Sequence, residues 1–329
     1  MVAARTVAAP PDAEGGARVA QSLGIDLGGT AMKWVTLEEG TPRAEGSVPT
    51  PHDGAEAVLA AMVDLAAAIG RVEALGVGVP GLYEPDGSTT LLPNVPGAWE
   101  GFPLGPRLGE AVGAPVALCN DARAFTLAEL RLGAGRGCRS LVALTLGTGV
   151  GGGVASAGRL HLGAHQRGGE VGHQVVDPDG MRCGCGARGC VETVASAPAI
   201  VAAAARVVWQ GVGSSLAAAC GEDPSGLTAE IVAEQARRGD DHAVDIMDRA
   251  GWALGAAVAN AATILAPERV VIGGGVSSAL DVLRPALERT LVERARLPDT
   301  PQVVAAELGA RAGAIGAGLW ALEPEEHLA

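Results

Sequence analysis

Short apolar runs that end in glycine alternate along the chain with longer segments of helical periodicity. An apolar run at 22–28 predicts a strand, the pair Gly28-Gly29 predicts a turn, and a second strand is expected from Lys33 to Leu37, with 43–50 as its continuation into a meander. The following segments predict a helix over 54–70, strands over 74–81 and 115–120, and a helix over 121–133. This order is typical of an α/β domain.

The second part of the chain repeats the same order. Two strands around a glycine-rich turn are predicted over 140–160. The predicted elements that follow are helices over 197–208, 228–238 and 241–265, a strand at 268–275, a helix at 277–295, a strand at 301–308 and a last helix at 311–322. We interpret the two copies as an internal duplication.

The domain organisation follows from this repeat. We expect a disordered lead over 1–21, a smaller α/β domain over 22–120 that also receives the last helix, 311–322, and a larger α/β domain over 121–310. The longest apolar run, 251–266, is shorter than a membrane span and contains Asn260. The opening residues lack the apolar stretch of a signal peptide.

The charge of the chain limits the kinds of partner to be expected, and its cysteine content indicates the cellular compartment. The chain carries 24 basic and 37 acidic residues, a net charge of −13, which argues against nucleic-acid and anionic-membrane partners because phosphates need a basic surface. Apolar residues make up 48% of the chain, enough for full cores. The six cysteines are unevenly placed, which indicates a reducing compartment. We therefore expect a soluble, cytoplasmic protein.

Half of the cysteines lie in the stretch "MRCGCGARGCVE", residues 181–192. Cys183 and Cys185 are too close in sequence for an easy disulfide, whereas three thiolates and one further ligand complete a tetrahedral Zn²⁺ site. His173, upstream in "GGEVGH", can supply the fourth ligand. The alternative is a loop of reduced thiols without a metal.

Three glycine-rich turns each follow an apolar strand: "GIDLGGT" at 24–30, "TLGTGVGGG" at 145–153 and "VIGGGVS" at 271–277. Glycine amides can approach a phosphate closely, Thr30 can donate its hydroxyl, and Asp26 can face a hydrated Mg²⁺. One such turn is often only a corner between strands. Three of them favour a nucleotide-binding function.

These motifs together resemble the ROK family of sugar kinases. The resemblance rests on DxGGT, LGTGVGGG, the strand-terminal GGG, GExGH and CxCGxxGCxE, and it runs from about residue 22 to 321. It implies the actin-like ATPase fold, with two ribonuclease-H-like α/β domains that close on a cleft for sugar and ATP. It also implies a homo-oligomer, either a dimer or a tetramer.

The resemblance assigns a role to individual residues. It implies that Asp121, in "CNDARA", is the catalytic base, whereas the residue by itself is equally typical of a helix N-cap. The implied structural Zn²⁺ ligands are His173, Cys183, Cys185 and Cys190. The implied sugar-binding residues are Asn94, Asn120, Asp121, Glu170, His173 and Glu192. The residues expected to bind ATP and its Mg²⁺ are Asp26, Gly28, Gly29, Thr30, Lys33, Gly147, Thr148, Gly149, Gly273, Gly274 and Gly275.

The chain departs from the family pattern at several positions. Ala31 stands where many members have lysine after GGT, and Lys33 is the only lysine of the chain. Lys33 can serve the nucleotide phosphates or cap a solvent-facing strand. Trp34 occupies a position where a small residue is common, and Ala98 interrupts the pattern that contains Asn94. His161 and His165 are interpreted as polar loop residues rather than ligands.

The expected activity is ATP-dependent phosphorylation of a hexose at its 6-hydroxyl, with glucose as the first candidate. The motifs leave N-acetylglucosamine, mannose, an amino sugar or a cyclitol open as the acceptor. A sugar-sensing regulator is disfavoured because the short lead cannot form a helix-turn-helix domain. Polyphosphate as the phosphate donor is disfavoured because a polyanion needs a basic track.

Overall fold

The structure is a computed structural model that describes residues 21–297 and 299–322. The predicted disordered lead lies outside these residues, except for Gln21, which begins the first strand. The described chain forms two compact units. Unit 1 contains residues 21–121 and 317–322, and unit 2 contains residues 122–297 and 299–316.

Unit 1 is built on a five-stranded mixed sheet. Its elements are β1 (Gln21–Leu27), β2 (Ala31–Glu38), β3 (Thr41–Pro49), α1 (Ala55–Ile69), β4 (Ala74–Val79), the short strands β5 (Leu82–Tyr83) and β6 (Thr89–Leu91), α2 (Leu104–Val112) and β7 (Val116–Asn120). The sheet order is β3-β2-β1-β4-β7. The strands β1, β2 and β3 pair antiparallel, whereas β1, β4 and β7 run parallel.

The core of unit 1 explains why β4 is a continuous apolar run. All six residues of β4 are buried, as expected for a strand covered on both faces. In α1 the buried residues recur at helical spacing, with Val58, Leu59 and Met62 among them. They join Leu23, Ile25 and other strand residues in one apolar cluster.

Unit 2 repeats this sheet. Its elements are α3 (Asp121–Leu132), which begins at the last residue of unit 1, β8 (Leu141–Leu146), β9 (Val150–Ser156), β10 (Arg159–Leu160), α4 (Glu192–Ala195), α5 (Ala197–Gln210), α6 (Ser215–Ala219), α7 (Ala229–Arg237), α8 (Asp241–Leu265), β11 (Arg269–Gly273), α9 (Leu280–Arg294), β12 (Gln302–Ala305) and the start of α10 (Ala312–Leu322). The order β10-β9-β8-β11-β12 matches that of unit 1 strand for strand. The predicted duplication is confirmed.

Two helices form the centre of unit 2. Gly251 and Gly255 of α8 lie against the backbone carbonyls of Leu283 and Leu287 in α9, at positions where a Cβ atom would collide with those oxygens. The missing side chains let the two helix backbones approach closely. The alanine-rich α8 is therefore buried through most of its length.

The last helix, α10, contributes its C-terminal half to unit 1. The indole Nε1 of Trp320 donates a hydrogen bond to the carbonyl of Leu118 at 3.0 Å, and the hydroxyl of Ser22 donates to the carbonyl of Gly318 at 3.0 Å. These bonds hold residues 317–322 against the sheet of unit 1.

The structure differs from the sequence prediction at a few elements. Helix α2 was not predicted because Gly105, Pro106 and Gly109 obscure its periodicity, although proline is tolerated in a first helical turn. Helix α9 begins at Leu280 rather than at 277, because residues 275–279 form a 3₁₀ turn first. No helix within residues 21–297 and 299–322 is long and apolar enough to cross a membrane.

Asp240 caps α8 and provides a pH-dependent contribution to stability. Burial by itself would raise its pKa, but hydrogen bonds from the backbone N–H groups of Ala243 and Ser215 and from the hydroxyls of Ser215 and Ser214 lower the pKa to about 2. A carboxyl with a lowered folded-state pKa stabilises the fold above its unfolded pKa. Its contribution is lost as the pH falls from the ordinary Asp pKa of 3.8 toward 2.

We expect Asp240→Ala to lower the free energy of unfolding by about 1–2 kcal/mol at pH 7. The difference from the wild type should shrink as the pH falls from about 4 toward about 2, because the wild-type carboxylate then becomes protonated. Unfolding curves at several pH values measure this. Asp241→Ala, at the neighbouring exposed position, is the control. A difference that stays constant down to pH 2 would contradict the assigned pKa.

Candidate functional site

Several of the predicted residues of unit 1 lie where its parallel strands end. Asp26 is near the end of β1 and Asn120 is the last residue of β7. The amide Nδ2 of Asn120 donates to the carbonyl of Gly81, just beyond β4, at 3.3 Å. Ligands of open α/β sheets bind at this carboxyl-terminal edge. Unit 1 therefore places these two side chains where a ligand is expected.

The turn at Gly28-Gly29-Thr30 is held in one conformation. The hydroxyl of Thr50 donates to the carbonyl of Gly28 at 2.7 Å, and the N–H of Thr50 donates to the carbonyl of Thr30 at 3.0 Å. Gly29 touches the backbone carbonyl of Asn94 so closely that a Cβ atom at residue 29 would overlap it. The predicted phosphate turn and the predicted sugar residue Asn94 are thus direct neighbours.

Asp26 and Lys33 face each other across the hairpin of β1 and β2. Burial raises the pKa of Asp26, and the positive charge of Lys33 acts in the opposite direction. Lys33 and Ala31 lie two residues apart on β2 and therefore on the same face of the strand. Lys33 therefore projects from the same face of β2 as the residue that directly follows the GGT motif.

In unit 2, the second and third glycine turns meet at one sheet edge. The 147–149 turn follows β8, the 273–275 turn follows β11, and these strands are parallel neighbours. Gly274 has a φ of 86° and lies against the backbone of Leu146, a place that only glycine fits. The N–H of Ala197, at the start of α5, donates to the carbonyl of Gly147 at 2.9 Å.

The four predicted metal ligands converge. The side-chain donor atoms of His173, Cys183, Cys185 and Cys190 all lie within 4.8 Å of one another. Cys185 Sγ is 3.7 Å from Cys190 Sγ, and Cys183 Sγ is 3.5 Å from Nδ1 of His173. Tetrahedral zinc with Zn–S distances of about 2.3 Å requires ligand–ligand separations of roughly 3.5–3.8 Å. The four residues fit a zinc ion.

The environments of the three thiols differ. Burial raises the pKa of Cys183, and burial together with the two neighbouring thiols raises the pKa of Cys190 to about 12. A hydrogen bond from the backbone N–H of Ala187 lowers the pKa of Cys185. Binding of a divalent cation here would therefore have to displace the protons of Cys183 and Cys190.

Backbone hydrogen bonds between residues close in sequence shape the loop that carries the cysteines. The N–H of Cys183 donates to the carbonyl of Ala187, and the N–H of Gly189 donates to the carbonyl of Met181, each at 2.8 Å. Gly189 has a φ of 68° and touches the carbonyl of Asp177, so no larger residue fits there. The glycines of the motif thus fold the chain tightly enough to bring the sulfur atoms together.

Glu192 connects the cysteine cluster to the end of the 147–149 glycine turn of unit 2. Its Oε2 accepts a hydrogen bond from the N–H of Val150 at 3.1 Å, and its Oε1 is 3.5 Å from Sγ of Cys183. The sequence separates the predicted phosphate turn from the predicted metal loop by some thirty residues. The structure makes them adjacent through one carboxylate.

Arg123, a residue that the sequence analysis missed, holds Glu170. The Arg123 side chain is 6% exposed, and its Nη2 lies 3.3 Å from Oε1 of Glu170. Its Nε and Nη2 also donate to the carbonyl of Gly168 at 3.2 and 3.0 Å. A charged residue among the apolar positions of α3 was the available signal, because a buried arginine requires a partner.

Asp121 is the first residue of α3 and follows Asn120 directly, with the boundary between the units just after it. Within unit 1 the structure therefore places Asp26, Asn94, Asn120 and Asp121 at strand ends and the turns after them. Within unit 2 it groups Glu192 with the cluster of His173 and the three cysteines. His161 and His165 are exposed loop residues, as predicted.

Comparisons with known proteins find relatives over nearly the whole chain. A family sequence model described as ROK family matches residues 22–324. The chain is 39% identical over 303 residues to a glucokinase of Thermotoga maritima. This match covers 90% of the present chain and 95% of that protein. It is 31% identical over 305 residues to an N-acetylmannosamine kinase of Haemophilus influenzae, with 91% and 94% covered.

Among solved structures, the fold is similar to that of a ROK family glucokinase from Streptomyces griseus in complex with glucose and AMPPNP. The TM-score is 0.79 at 34% sequence identity, and the match covers 92% of this chain and 99% of that chain. Both α/β units are therefore shared with a protein of known ligands.

Proposed function

The chain belongs to the ROK family, and we propose that it is a sugar kinase that transfers the γ-phosphoryl group of ATP to the 6-hydroxyl of glucose. The observation that carries the proposal is the likeness, over nearly the whole chain, to a glucokinase bound to glucose and an ATP analogue. The residues predicted for the two substrates are present in both units.

The proposed base is Asp121. As the oxygen of the 6-hydroxyl attacks the γ-phosphorus, its proton passes to the Asp121 carboxylate, the new P–O bond forms, and the bond to the β-phosphate oxygen breaks to release ADP. Its place at the start of α3, next to Asn120, favours this role. An acidic side chain is also electrostatically favoured at the positive, N-terminal end of a helix.

Each unit contains residues that the family motifs assign to the sugar. In unit 1, Asn94 and Asn120 offer amide groups; in unit 2, Glu170 and Glu192 offer carboxylate acceptors, and His173, with one ring nitrogen on the metal, would offer the N–H of the other. Amide and carboxylate groups suit an acceptor with several hydroxyls, because each hydroxyl both donates and accepts. The alternating donors and acceptors fix the sugar so that one hydroxyl faces the base.

The nucleotide is assigned to the three glycine turns. The residues proposed for the phosphates are Gly28, Gly29 and Thr30 of unit 1 and Gly147, Thr148 and Gly149 of unit 2, and those proposed for the adenosine are Gly273, Gly274 and Gly275. Asp26 and Lys33 would face the metal and the phosphates. Mg²⁺ bound with ATP neutralises the charge that the phosphates carry during transfer.

Zinc has a structural role in this proposal. His173, Cys183, Cys185 and Cys190 would hold it with no ligand position left for water, which is typical of structural sites. When bound, the ion would fix the cysteine loop between His173 and Glu192, the first residue of α4. It thereby shapes the part of unit 2 that contacts the sugar.

A kinase for another sugar is the second candidate. The likeness to an N-acetylmannosamine kinase over 91% of the chain supports it. The proposed reaction consumes ATP, which favours a cytoplasmic location, and a homodimer or homotetramer stays an expectation from the family.

A substrate panel tests the proposal. We expect ADP formation from ATP and Mg²⁺ to depend on glucose, with kcat/KM at least about tenfold above that for mannose, N-acetylglucosamine and N-acetylmannosamine. A higher kcat/KM for one of these sugars would select the second candidate. Polyphosphate as an equal or better donor would contradict the assignment of the glycine turns to ATP.

A further inference from the structure

We propose that Arg123 is a positioning and specificity residue that holds Glu170 against the sugar and neutralises its charge, so that the enzyme selects neutral hexoses over protonated amino sugars. The inference rests on the proposed function, since it concerns the acceptor that Glu170 binds. The family resemblance assigns a role to Asp121 but none to residue 123, two positions later.

The first step of the argument is the placement of the arginine. Arg123 is 5% exposed as a residue, on a helix whose other buried residues are mostly apolar. A buried guanidinium strongly destabilises a fold unless its donors are satisfied. Two of its hydrogen-bond partners, the carbonyl of Gly168 and the carboxylate of Glu170, lie in the loop before the metal cluster.

The second step is the effect on the loop. Gly168, Gly169 and Glu170 follow a segment in which His165 and Gln166 both have positive φ values, 54° and 53°. Such backbone is strained for residues other than glycine and persists only where its surroundings fix it. The two hydrogen bonds from Arg123 to Gly168, at 3.0 and 3.2 Å, anchor the end of this segment and thereby the position of Glu170.

The third step concerns charge. The Glu170 side chain is 47% exposed, so part of its carboxylate is open to a ligand while Oε1 faces the guanidinium. A carboxylate without a partner would attract a protonated amine strongly. With Arg123 beside it, Glu170 still accepts hydrogen bonds from sugar hydroxyls, but its attraction for a cation is offset. The pair therefore favours glucose over glucosamine.

The test compares Arg123→Met, Arg123→Lys and wild type with glucose and glucosamine at a pH where the amine of glucosamine is protonated. We expect Arg123→Met to raise KM for glucose by about 10–100-fold, as the loss of a charge-assisted hydrogen bond does, with KM for ATP nearly unchanged. The ratio of kcat/KM for glucosamine to that for glucose should rise about tenfold. Arg123→Lys should keep the wild-type ratio, because it keeps the charge, while KM for glucose lies between the other two values.

A second comparison separates positioning from general damage to the fold. In a Glu170→Gln background, adding Arg123→Met should leave the glucosamine-to-glucose ratio unchanged, because the carboxylate charge is already gone. Arg131→Met, at an exposed position of the same helix, controls for removal of an arginine. Zinc content and melting temperature of each variant identify any protein that has failed to fold.

The outcomes distinguish this inference from the proposed function. Wild-type protein that phosphorylates no sugar would refute the proposed function itself. An active wild type together with an Arg123→Met variant whose KM for glucose and sugar ratio both equal the wild-type values would refute only the role of Arg123. A Lys variant with the same sugar ratio as the Met variant would refute the charge argument.

Discussion

Asp121→Asn is expected to lower kcat by about 10²–10⁴-fold while the protein still binds glucose. Asparagine has nearly the size of aspartate and can stand at the start of α3, so the helix and the neighbouring Asn120 should be retained. It cannot accept the proton of the 6-hydroxyl. The attacking oxygen then keeps its proton in the transition state, and the barrier to transfer rises.

Turnover and glucose titration by calorimetry, measured on the same preparation, test this prediction. Asp64→Asn, an exposed aspartate of α1, controls for the loss of one carboxylate from unit 1. An Asp121→Asn variant with near wild-type kcat would show that Asp121 is a helix-terminal residue and not the base. Loss of glucose binding together with a lower melting temperature would instead indicate a structural role.

The second large effect is expected at the cysteine cluster. Cys190→Ser should release about one equivalent of zinc, because a closed four-ligand site rarely keeps its ion after the loss of one thiolate. Cys190 is buried, and its Sγ is 3.7 Å from that of Cys185. Without the ion the three remaining donors would repel one another or be reprotonated, and the cysteine loop that leads into Glu192 would lose its fixed position.

Because of the contacts that Glu192 makes, the loss of zinc should weaken the binding of both glucose and ATP. Glu192 accepts from the N–H of Val150 at 3.1 Å, so a displaced Glu192 disturbs the 147–149 turn as well as the sugar. We therefore expect KM to rise for glucose by at least about tenfold and for ATP by a smaller factor. Glu192→Gln should keep the zinc and still weaken both substrates, since the amide replaces only part of the carboxylate's acceptor capacity.

Zinc by elemental analysis and both KM values are the measurements for these variants. Cys220→Ser, at a partly buried cysteine outside the cluster, is the control and should retain zinc and activity. Native protein that is purified without stoichiometric zinc and stays fully active in excess chelator would overturn the zinc assignment. Retention of zinc by Cys190→Ser would show that Cys190 is not a ligand.

The duplicated sheet could be predicted from the sequence, because both copies begin with the same signals. Each has an apolar run, a glycine turn and a second run, and these became the antiparallel hairpins of β1 with β2 and of β8 with β9. Apolar periodicity and glycine are local properties, so they can be recognised without tertiary contacts. Helix α2 could not be recognised in this way, because its glycines and proline are tolerated only in the context of its packing against α1 and β7.

Site residues whose chemistry follows from residue type and spacing in the sequence could be predicted. Contacts between residues far apart in the chain could not. The convergence of His173 with the three cysteines follows from their spacing and the flexibility of glycine. The bonds from Arg123 to Glu170 and from Val150 to Glu192 join residues more than forty positions apart in the chain. No local pattern encodes such pairs, so only the structure could show that the two carboxylates already have partners.

The position of the phosphate in the product tests the central claim most directly. Glucose labelled with carbon-13 is incubated with the zinc-loaded protein, ATP and Mg²⁺, and the product is followed by carbon and phosphorus NMR. The proposed reaction predicts one ADP for each sugar phosphate, with the phosphate on carbon 6, and no product from Asp121→Asn on the same time scale. Phosphate on another carbon, or ADP released without any sugar phosphate, would contradict it.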